Sequence, residues 1–237
     1  MTILSKARKF FIFFTIYLAS YRCFLFSVEF DDLTYDFLLS NPYTDHVQHF
    51  QKLFQQTKIT SFLEFGIGYG TKYFLDHCQK VTSCEIIFQN QTSLWFYHSV
   101  DLFQRCSNWK PILMHGGTAL QNANEFCIHN HKDPALYEPA YLLDLKSICN
   151  ELFKDNQFDV AFVDPGFHMR GDLVNELFDR VPIIVAHDTN YVPELYGWNK
   201  IQMPSNYKKV VFTEGQGITF WIQNNRPELI AELSKRN

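Results

Sequence analysis

Two groups of residues have the types and spacing needed for chemistry. The first is the run Glu64-Phe65-Gly66-Ile67-Gly68-Tyr69-Gly70, in which three glycines alternate with other residues and an acid stands two positions before the first of them. The second consists of Asp164 and His168 after one apolar run, and His187-Asp188-Thr189 after another. A glycine-rich turn suits the binding of a cofactor, whereas carboxylates beside imidazoles suit proton transfer or metal binding.

The glycine run lies between a predicted buried strand, residues 59–65, and a predicted helix that begins at Thr71. Glycine adopts backbone torsions that other residues avoid, and it lets a ligand approach the main chain closely. The start of the helix offers free N–H groups and the positive end of a dipole, which favour an anionic or carboxylate group. The spacing G-x-G-x-G differs from the G-x-G-x-x-G of dinucleotide-binding proteins.

This loop is similar to the E/D-x-G-x-G-x-G pattern of class I S-adenosylmethionine-dependent methyltransferases. The resemblance implies that Gly66, Gly68 and Gly70 hold the methionine part of that cofactor, and that Glu64 lies near it. Glu85 ends the next predicted strand, 21 positions after Glu64. An acid at that place can accept hydrogen bonds from both ribose hydroxyls, although a solvated glutamate at a strand end is the plainer alternative.

The second group marks the ends of two strands that we expect to be neighbours. Asp164 and Asp188 would then face one cleft beside the glycine loop and could bind a divalent metal such as Mg²⁺, which lowers the pKa of a substrate hydroxyl. His168 and His187 are candidate general bases, because a neutral imidazole accepts a proton near neutral pH. Alternatively, the two aspartates only cap the turns that follow their strands.

The stretch 158–190 resembles the metal-assisted small-molecule O-methyltransferases, including the catechol-type and macrolide-sugar-type enzymes. The resemblance implies that Asp164 and Asp188 are metal ligands, with Thr189 or His187 at the neighbouring ligand position. The sequence departs from the family where it has Thr189 in place of a carboxylate or an asparagine. It also lacks an acid near Gly117, where the family often has one that contacts adenine.

Strands alternate with helices along the chain, which predicts an α/β fold with a mostly parallel seven-stranded sheet and helices on both faces. The last two strands, residues 208–213 and 218–222, are separated by a glycine-containing turn and are expected to form an antiparallel hairpin. This is the Rossmann-like fold that the resemblance implies. Residues 116–139 have no clear periodicity and are interpreted as an inserted loop or lid.

The composition limits the classes of partner. The chain has 237 residues, a net charge of -4 and no long basic stripe after the first ten residues, which argues against a nucleic-acid partner. Its six cysteines form no C-x-x-C pair and are interpreted as unpaired core thiols. The length suits one domain over residues 29–237, and the resemblance implies that it is a methyltransferase domain acting on a small molecule, while the oligomeric state stays open.

The amino terminus has the composition of a targeting segment. Lys6, Arg8 and Lys9 precede an apolar stretch over residues 10–21, which as a helix would span only ~18 Å. Residues 1–28 are therefore predicted to be a signal peptide or a membrane anchor, so that the protein would be exported or associated with a membrane. A buried N-terminal helix, and with it a cytoplasmic protein, is the alternative.

Together these features predict an enzyme that transfers a methyl group from S-adenosyl-L-methionine to an oxygen of a small molecule, with Mg²⁺ as a candidate second cofactor. Asp164, His168, His187 and Asp188 are the expected catalytic residues. Three alternatives stay open: a metal-independent methyltransferase, an NAD-dependent oxidoreductase on a similar sheet, and an inactive methyltransferase-like interaction module.

Overall fold

The fold was analysed in a computed structural model that describes residues 28–89, 91–92, 94–132, 139–190 and 193–235. The predicted targeting segment lies outside these residues, except for Val28. None of the helices in the described ranges is both long enough and apolar enough to cross a membrane.

A seven-stranded sheet forms the centre of the molecule, with the strand order β3-β2-β1-β4-β5-β7-β6. The first five strands are parallel, whereas β7 pairs antiparallel with both β5 and β6. This arrangement confirms the predicted Rossmann-like sheet with a closing hairpin. The strands are β1 (Ser61–Phe65), β2 (Lys80–Ile87), β3 (Trp109–His115), β4 (Val160–Val163), β5 (Ile183–His187), β6 (Tyr207–Phe212) and β7 (Ile218–Gln223).

Helices cover both faces of the sheet, and each turns its apolar residues towards it. In the helix over residues 47–56, Val47, Phe50 and Leu53 recur at three-residue spacing and are fully buried. The helices are α1 (Tyr35–Ser40), α2 (Val47–Gln56), α3 (Thr71–His77), α4 (Leu94–Phe103), α5 (Thr118–Asn130), α6 (Ala140–Phe153), α7 (Arg170–Leu177), α8 (Pro193–Tyr196) and α9 (Pro227–Leu233).

Side chains alternate across the central strands and so build two cores. In β1, Leu63 and Phe65 pack into the core that contains residues of α5, α6 and α7, whereas Phe62 packs into the core of α2, α3 and α9. The central strands β4 and β5 are buried along their whole length. Both faces are therefore covered, as expected for strands that are continuous apolar runs.

The segment between β3 and α6 differs from the expected inserted loop. Residues 118–130 form helix α5, whose buried residues are Leu120, Gln121, Ala123, Asn124 and Cys127. Because two of these buried residues are polar, the apolar periodicity of the helix is weak in the sequence. Of the remaining range, residues 133–138 lie outside the described part of the chain.

The strand order reverses between β1 and β4, so the loops that follow these two strands leave the sheet side by side at its carboxyl edge. A crevice at such a reversal is the usual ligand site of open α/β sheets. The glycine run follows β1, Asp164 follows β4, and Asp188 follows β5. The topology therefore brings both sequence-predicted groups to the same edge.

Candidate active site

Gly66 is the point at which the loops after β1 and β4 touch. Its φ of +91° lies in the region that favours glycine, and a Cβ built on it would lie 2.2 Å from the carbonyl oxygen of Asp164. Gly68 differs, because a Cβ there would have no atom within 4 Å. Gly66 thus allows close packing behind the loop, while open space beside Gly68 is available to a ligand.

Ile67, between these glycines, is held from both sides through its main chain. Its N–H donates to Oε2 of Glu85 at 3.0 Å, and its carbonyl oxygen accepts from Nε1 of Trp95 at 2.6 Å. Glu85 is half-buried near the end of β2. Because the hydrogen bond from Ile67 falls on Oε2, Oε1 is the candidate acceptor for a ribose hydroxyl. The glutamate thus fixes the loop and lies where a bound nucleoside would reach it.

Glu64 lies beneath the loop, with only 2% of its surface exposed. Its carboxyl group accepts hydrogen bonds from Oγ1 of Thr71 at 2.9 Å and from Oγ of Ser83 at 2.7 Å. The same Thr71 hydroxyl accepts from the N–H of Gly68 at 3.2 Å. Glu64 therefore acts on the loop through Thr71. Burial raises its pKa to about 8, despite the two hydroxyl hydrogen bonds that favour the charged form.

This raised pKa predicts a pH-dependent stability. The unfolded chain releases the Glu64 proton near its ordinary pKa, whereas the folded chain keeps it up to about pH 8, so the stability falls as the pH rises through this window. In Glu64→Gln we expect the part of this decline that Glu64 causes to be lost, which urea unfolding at about pH 5 and about pH 8 measures as a difference from the wild type. The control Glu151→Gln changes an exposed residue and should keep the wild-type decline. The same pH dependence in Glu64→Gln would contradict this explanation.

Asp164 and Asp188 converge as expected, and an arginine lies between them. Nη1 of Arg170 is 2.8 Å from Oδ1 of Asp164 and 2.7 Å from Oδ2 of Asp188. The guanidinium is also 4.3 Å from the ring centroid of Tyr196, and Arg170 is only 7% exposed. Burial would raise the pKa of Asp164, but Arg170 and His187 hold it below its ordinary value. The two aspartates are therefore bridged by a buried cation.

The backbone of Asp188 is also unusual, because its φ is +60° and few residues other than glycine adopt this region. Its carbonyl oxygen accepts from Nε1 of Trp198 at 3.0 Å. Conformations of this kind persist where surrounding contacts hold them, and they concentrate at functional sites. Asp188 combines this conformation with the contact to Arg170.

His187 lies among three carboxylates. Its Nε2 is 2.7 Å from Oδ1 of Asp45, and its Nδ1 is 3.5 Å from Oδ2 of Asp164 and 3.3 Å from Oδ1 of Asp188. Burial acts to lower the pKa of His187, but the hydrogen bonds to Asp164 and Asp45 outweigh burial and raise it to about 10. The ring therefore carries a proton near neutral pH, a state that favours a role as a cation over the predicted role as a base.

His46 fills the space beside this cluster as a neutral side chain. It is 4% exposed and packs against Phe162, with ring centroids 4.8 Å apart. Burial lowers its pKa to about 3. A Cβ on Gly70 would lie 2.5 Å from its Nε2, so the last glycine of the loop makes room for this ring and not for a ligand.

His168 has the properties of a general base. Oδ1 of Asn124 accepts from the backbone N–H of His168 at 3.0 Å and lies 2.9 Å from Nδ1 of the same residue. Because that oxygen can only accept, Nδ1 must carry the hydrogen, and Nε2 keeps its lone pair. Burial lowers the pKa of His168, and so does the nearby charge of Arg170. The ring is therefore neutral at physiological pH.

The gap between Oδ1 of Asp164 and Oδ2 of Asp188 does not fit a divalent metal. The guanidinium of Arg170 occupies the space between the two carboxylates, within hydrogen-bond distance of both. Of the two candidates for a neighbouring ligand, His187 places its Nδ1 beside the other oxygen of each carboxylate. Thr189, the second candidate, has its hydroxyl in a hydrogen bond with Oγ1 of Thr219 at 3.0 Å. Its N–H donates to the carbonyl oxygen of Gly217 at 3.2 Å.

A carboxylate does lie at the position where the sequence lacks the adenine-contacting acid. A Cβ on Gly117 would lie 2.2 Å from Cγ of Asp144, a residue of α6. Oδ2 of Asp144 accepts from the N–H of Leu120 at 2.9 Å and so caps the start of α5. Asp144 therefore occupies, from a distant element, the space that a side chain at position 117 would take.

The structure brings together all the sequence-predicted residues at one edge of the sheet, although Glu64 lies behind the loop. Sequence reasoning missed Arg170, Asp45, Asn124 and Asp144. Of these four residues, only Arg170 could have been suspected from the sequence, since an arginine six positions after Asp164 is close enough along the chain to form an ion pair with it.

Solved structures with a similar fold include known and candidate methyltransferases. A candidate caffeoyl-CoA O-methyltransferase from Staphylococcus aureus superposes with a TM-score of 0.50 and 14% identity, over 75% of this chain and 82% of that one. An O-methyltransferase from Bacillus cereus in complex with S-adenosylhomocysteine has a TM-score of 0.49 and 12% identity, over 80% of this chain and 90% of that one. No family model and no curated protein matches the sequence. The first superposition shows that this chain shares a Rossmann-like fold with that protein.

Proposed function

We propose that the protein is an S-adenosylmethionine-dependent methyltransferase that acts on a hydroxyl oxygen of a small molecule. The observation that carries this proposal is the loop from Gly66 to Gly70, open beside Gly68 and fixed by the hydrogen bond from Ile67 to Glu85. It lies at the reversal of strand order, where the open edge of such a sheet binds ligands. The G-x-G-x-G spacing favours this cofactor over a dinucleotide.

The cofactor fits three parts of the site. Its methionine end would lie along the open side of Gly68, near the start of α3, where free N–H groups favour a carboxylate. The ribose would meet Oε1 of Glu85, and the adenine would lie towards Asp144 beside Gly117. Asp144 thereby supplies the acid that the sequence lacks at the turn after β3.

The chain's own residues would prepare the acceptor oxygen. S-adenosylmethionine, when bound, would supply an electrophilic methyl group, and its sulfur would keep the bonding electron pair as S-adenosylhomocysteine forms. Nε2 of His168 accepts the proton of the acceptor hydroxyl, while Asn124 holds the ring in the tautomer that makes this nitrogen a base. A fixed cluster of charged side chains lies beside the ends of β4 and β5 and consists of Asp164, Arg170 and Asp188. Most of the rate enhancement then comes from alignment of the oxygen with the methyl group.

The ribose contact gives the first test of the proposed function. Glu85→Ala removes both the ribose acceptor and the hydrogen bond that fixes Ile67, so we expect the affinity for S-adenosylhomocysteine to fall at least about tenfold. Isothermal titration calorimetry measures this change. The control Glu151→Ala removes an exposed glutamate of α6 and should bind like the wild type. Wild-type affinity in a folded Glu85→Ala variant would exclude the assigned role.

Methyl transfer itself can be measured while the acceptor is still unidentified. Catechols, sugars and other hydroxyl-bearing small molecules are incubated with the protein and methyl-labelled S-adenosylmethionine, and formation of S-adenosylhomocysteine is followed. Turnover with at least one hydroxyl acceptor, and a labelled ether product, are expected. Bound cofactor with no turnover on this panel would instead favour the interaction module.

A further inference from the structure

We propose that Arg170 is a built-in cation that takes the place of a divalent metal between Asp164 and Asp188. The resemblance to metal-assisted enzymes implies a metal at this place, and the geometry assigns the place to a side chain of the protein itself. The consequence for catalysis, methyl transfer that needs no metal, rests on the proposed function. The absence of a metal between the two aspartates does not depend on the proposed function.

The position of the guanidinium is the first support. A metal shared by the two aspartates would lie about 2.1 Å from one oxygen of each. Nη1 of Arg170 already lies 2.8 Å from Oδ1 of Asp164 and 2.7 Å from Oδ2 of Asp188. A nitrogen and a metal cannot both occupy the gap between these two oxygens, so a metal could bridge Oδ1 of Asp164 and Oδ2 of Asp188 only if Arg170 left.

The contacts that keep Arg170 in place are the second support. Its Nε donates to the carbonyl oxygen of Phe167 at 3.3 Å, and its guanidinium stacks over the ring of Tyr196 at 4.3 Å. The residue is 7% exposed and stands at the first position of α7. Removing a buried charge from a paired site leaves its partners uncompensated, so displacement of Arg170 is costly.

The ligand set is the third support. Mg²⁺ and Mn²⁺ prefer oxygen ligands. Besides the two carboxylate oxygens, such a site needs further oxygen ligands from the protein or from water. The hydroxyl of Thr189 is paired with Thr219. On the other side, Nδ1 of His187 faces the same two carboxylates at 3.3 and 3.5 Å. Arg170 therefore bridges one pair of carboxylate oxygens, while Nδ1 of His187 lies beside the other pair, Oδ2 of Asp164 and Oδ1 of Asp188.

The role of such a cation is to hold the two carboxylates in one geometry at every concentration of free metal. The fixed charge also acts on His168, because Arg170 helps to keep the pKa of that histidine low. A metal-dependent enzyme loses its site geometry when the metal leaves. Here the geometry belongs to the folded chain.

Manganese binding tests this inference in the full-length protein, without cofactor or acceptor. After treatment with a chelator, Mn²⁺ is titrated into the protein and the free ion is followed by electron paramagnetic resonance. The wild type is expected to leave the free-ion signal unchanged at equimolar protein. In Arg170→Met, which keeps the length of the side chain without its charge, the two freed carboxylates should bind Mn²⁺ at least about tenfold more tightly. Arg180→Met is the control, because Arg180 pairs with Glu176 and Asn150 instead.

Two results would overturn the inference. One is Mn²⁺ binding by the wild type that disappears in Asp164→Asn. The other is a folded Arg170→Met variant, verified by circular dichroism, that binds Mn²⁺ no better than Arg180→Met. If Arg170→Met does not fold, the wild-type titration decides alone. Because these measurements involve no methyl transfer, their failure leaves the proposed function untouched, and a failure to bind S-adenosylhomocysteine leaves the metal result standing.

Discussion

Gly66→Ala is expected to lower the free energy of unfolding by about 3 kcal/mol or more. The added methyl group would lie 2.2 Å from the carbonyl oxygen of Asp164 and 2.8 Å from its carbonyl carbon. Both atoms belong to the backbone and cannot move aside as a flexible side chain could. The φ of +91° adds strain for any residue with a Cβ. Urea unfolding at neutral pH measures the loss.

Gly166→Ala is the matched control for this prediction. It lies in the loop after β4, is exposed, and would place its Cβ with no atom within 4 Å. Its stability should remain within about 1 kcal/mol of the wild type. Equal stabilities of the two variants would contradict the close contact between the loops after β1 and β4.

His168→Ala is expected to lower kcat by roughly 10²–10⁴-fold while the affinity for S-adenosylhomocysteine stays unchanged. The reason is that Nε2 of His168 carries the lone pair that accepts the proton, because Asn124 fixes the tautomer in which Nδ1 holds the hydrogen. The rate is measured with the hydroxyl acceptor that gives the highest turnover. His129→Ala removes an exposed histidine of α5 and serves as the control. A His168→Ala variant with the turnover of this control would exclude His168 as the base.

The pH dependence of the wild-type rate should also show that neutral His168 is the base. Burial, followed by the charge of Arg170, lowers the pKa of His168 below its ordinary value. Since the neutral ring is the active form, the rate should rise as the pH increases through this lowered pKa and should already be level at neutral pH.

Asn124 is a positioning residue, so Asn124→Ala should lower kcat and shift the profile with little change in cofactor affinity.

The sheet could be predicted from the sequence because its signals are local. The strands β4 and β5 are buried along their whole length, and each is followed directly by an aspartate where the chain leaves the core. The glycine run predicted the turn after β1, and the small separation of the last two runs predicted the hairpin. Helix α5 was missed because buried Gln121 and Asn124 interrupt its apolar pattern.

The partners of the site residues could not be predicted, because the contacts are distant in sequence. Asp45 and His187 are 142 positions apart, and Asn124 and His168 are 44 apart. Asp144 reaches the turn at Gly117 from another helix. The metal expectation arose from two aspartates at neighbouring strand ends, and such a pattern does not reveal which cation lies between them. Arg170 is identified as this cation only when the packing of α7 against β4 and β5 is known.

The measurement that tests the central claim most directly is a calorimetric titration of the wild-type protein with S-adenosylhomocysteine, with NAD⁺ titrated in parallel. We expect saturable binding of S-adenosylhomocysteine at one site per chain and no heat of binding with NAD⁺. Absence of S-adenosylhomocysteine binding by the folded protein would contradict the proposed cofactor, and binding of NAD⁺ in its place would favour an oxidoreductase on the same sheet.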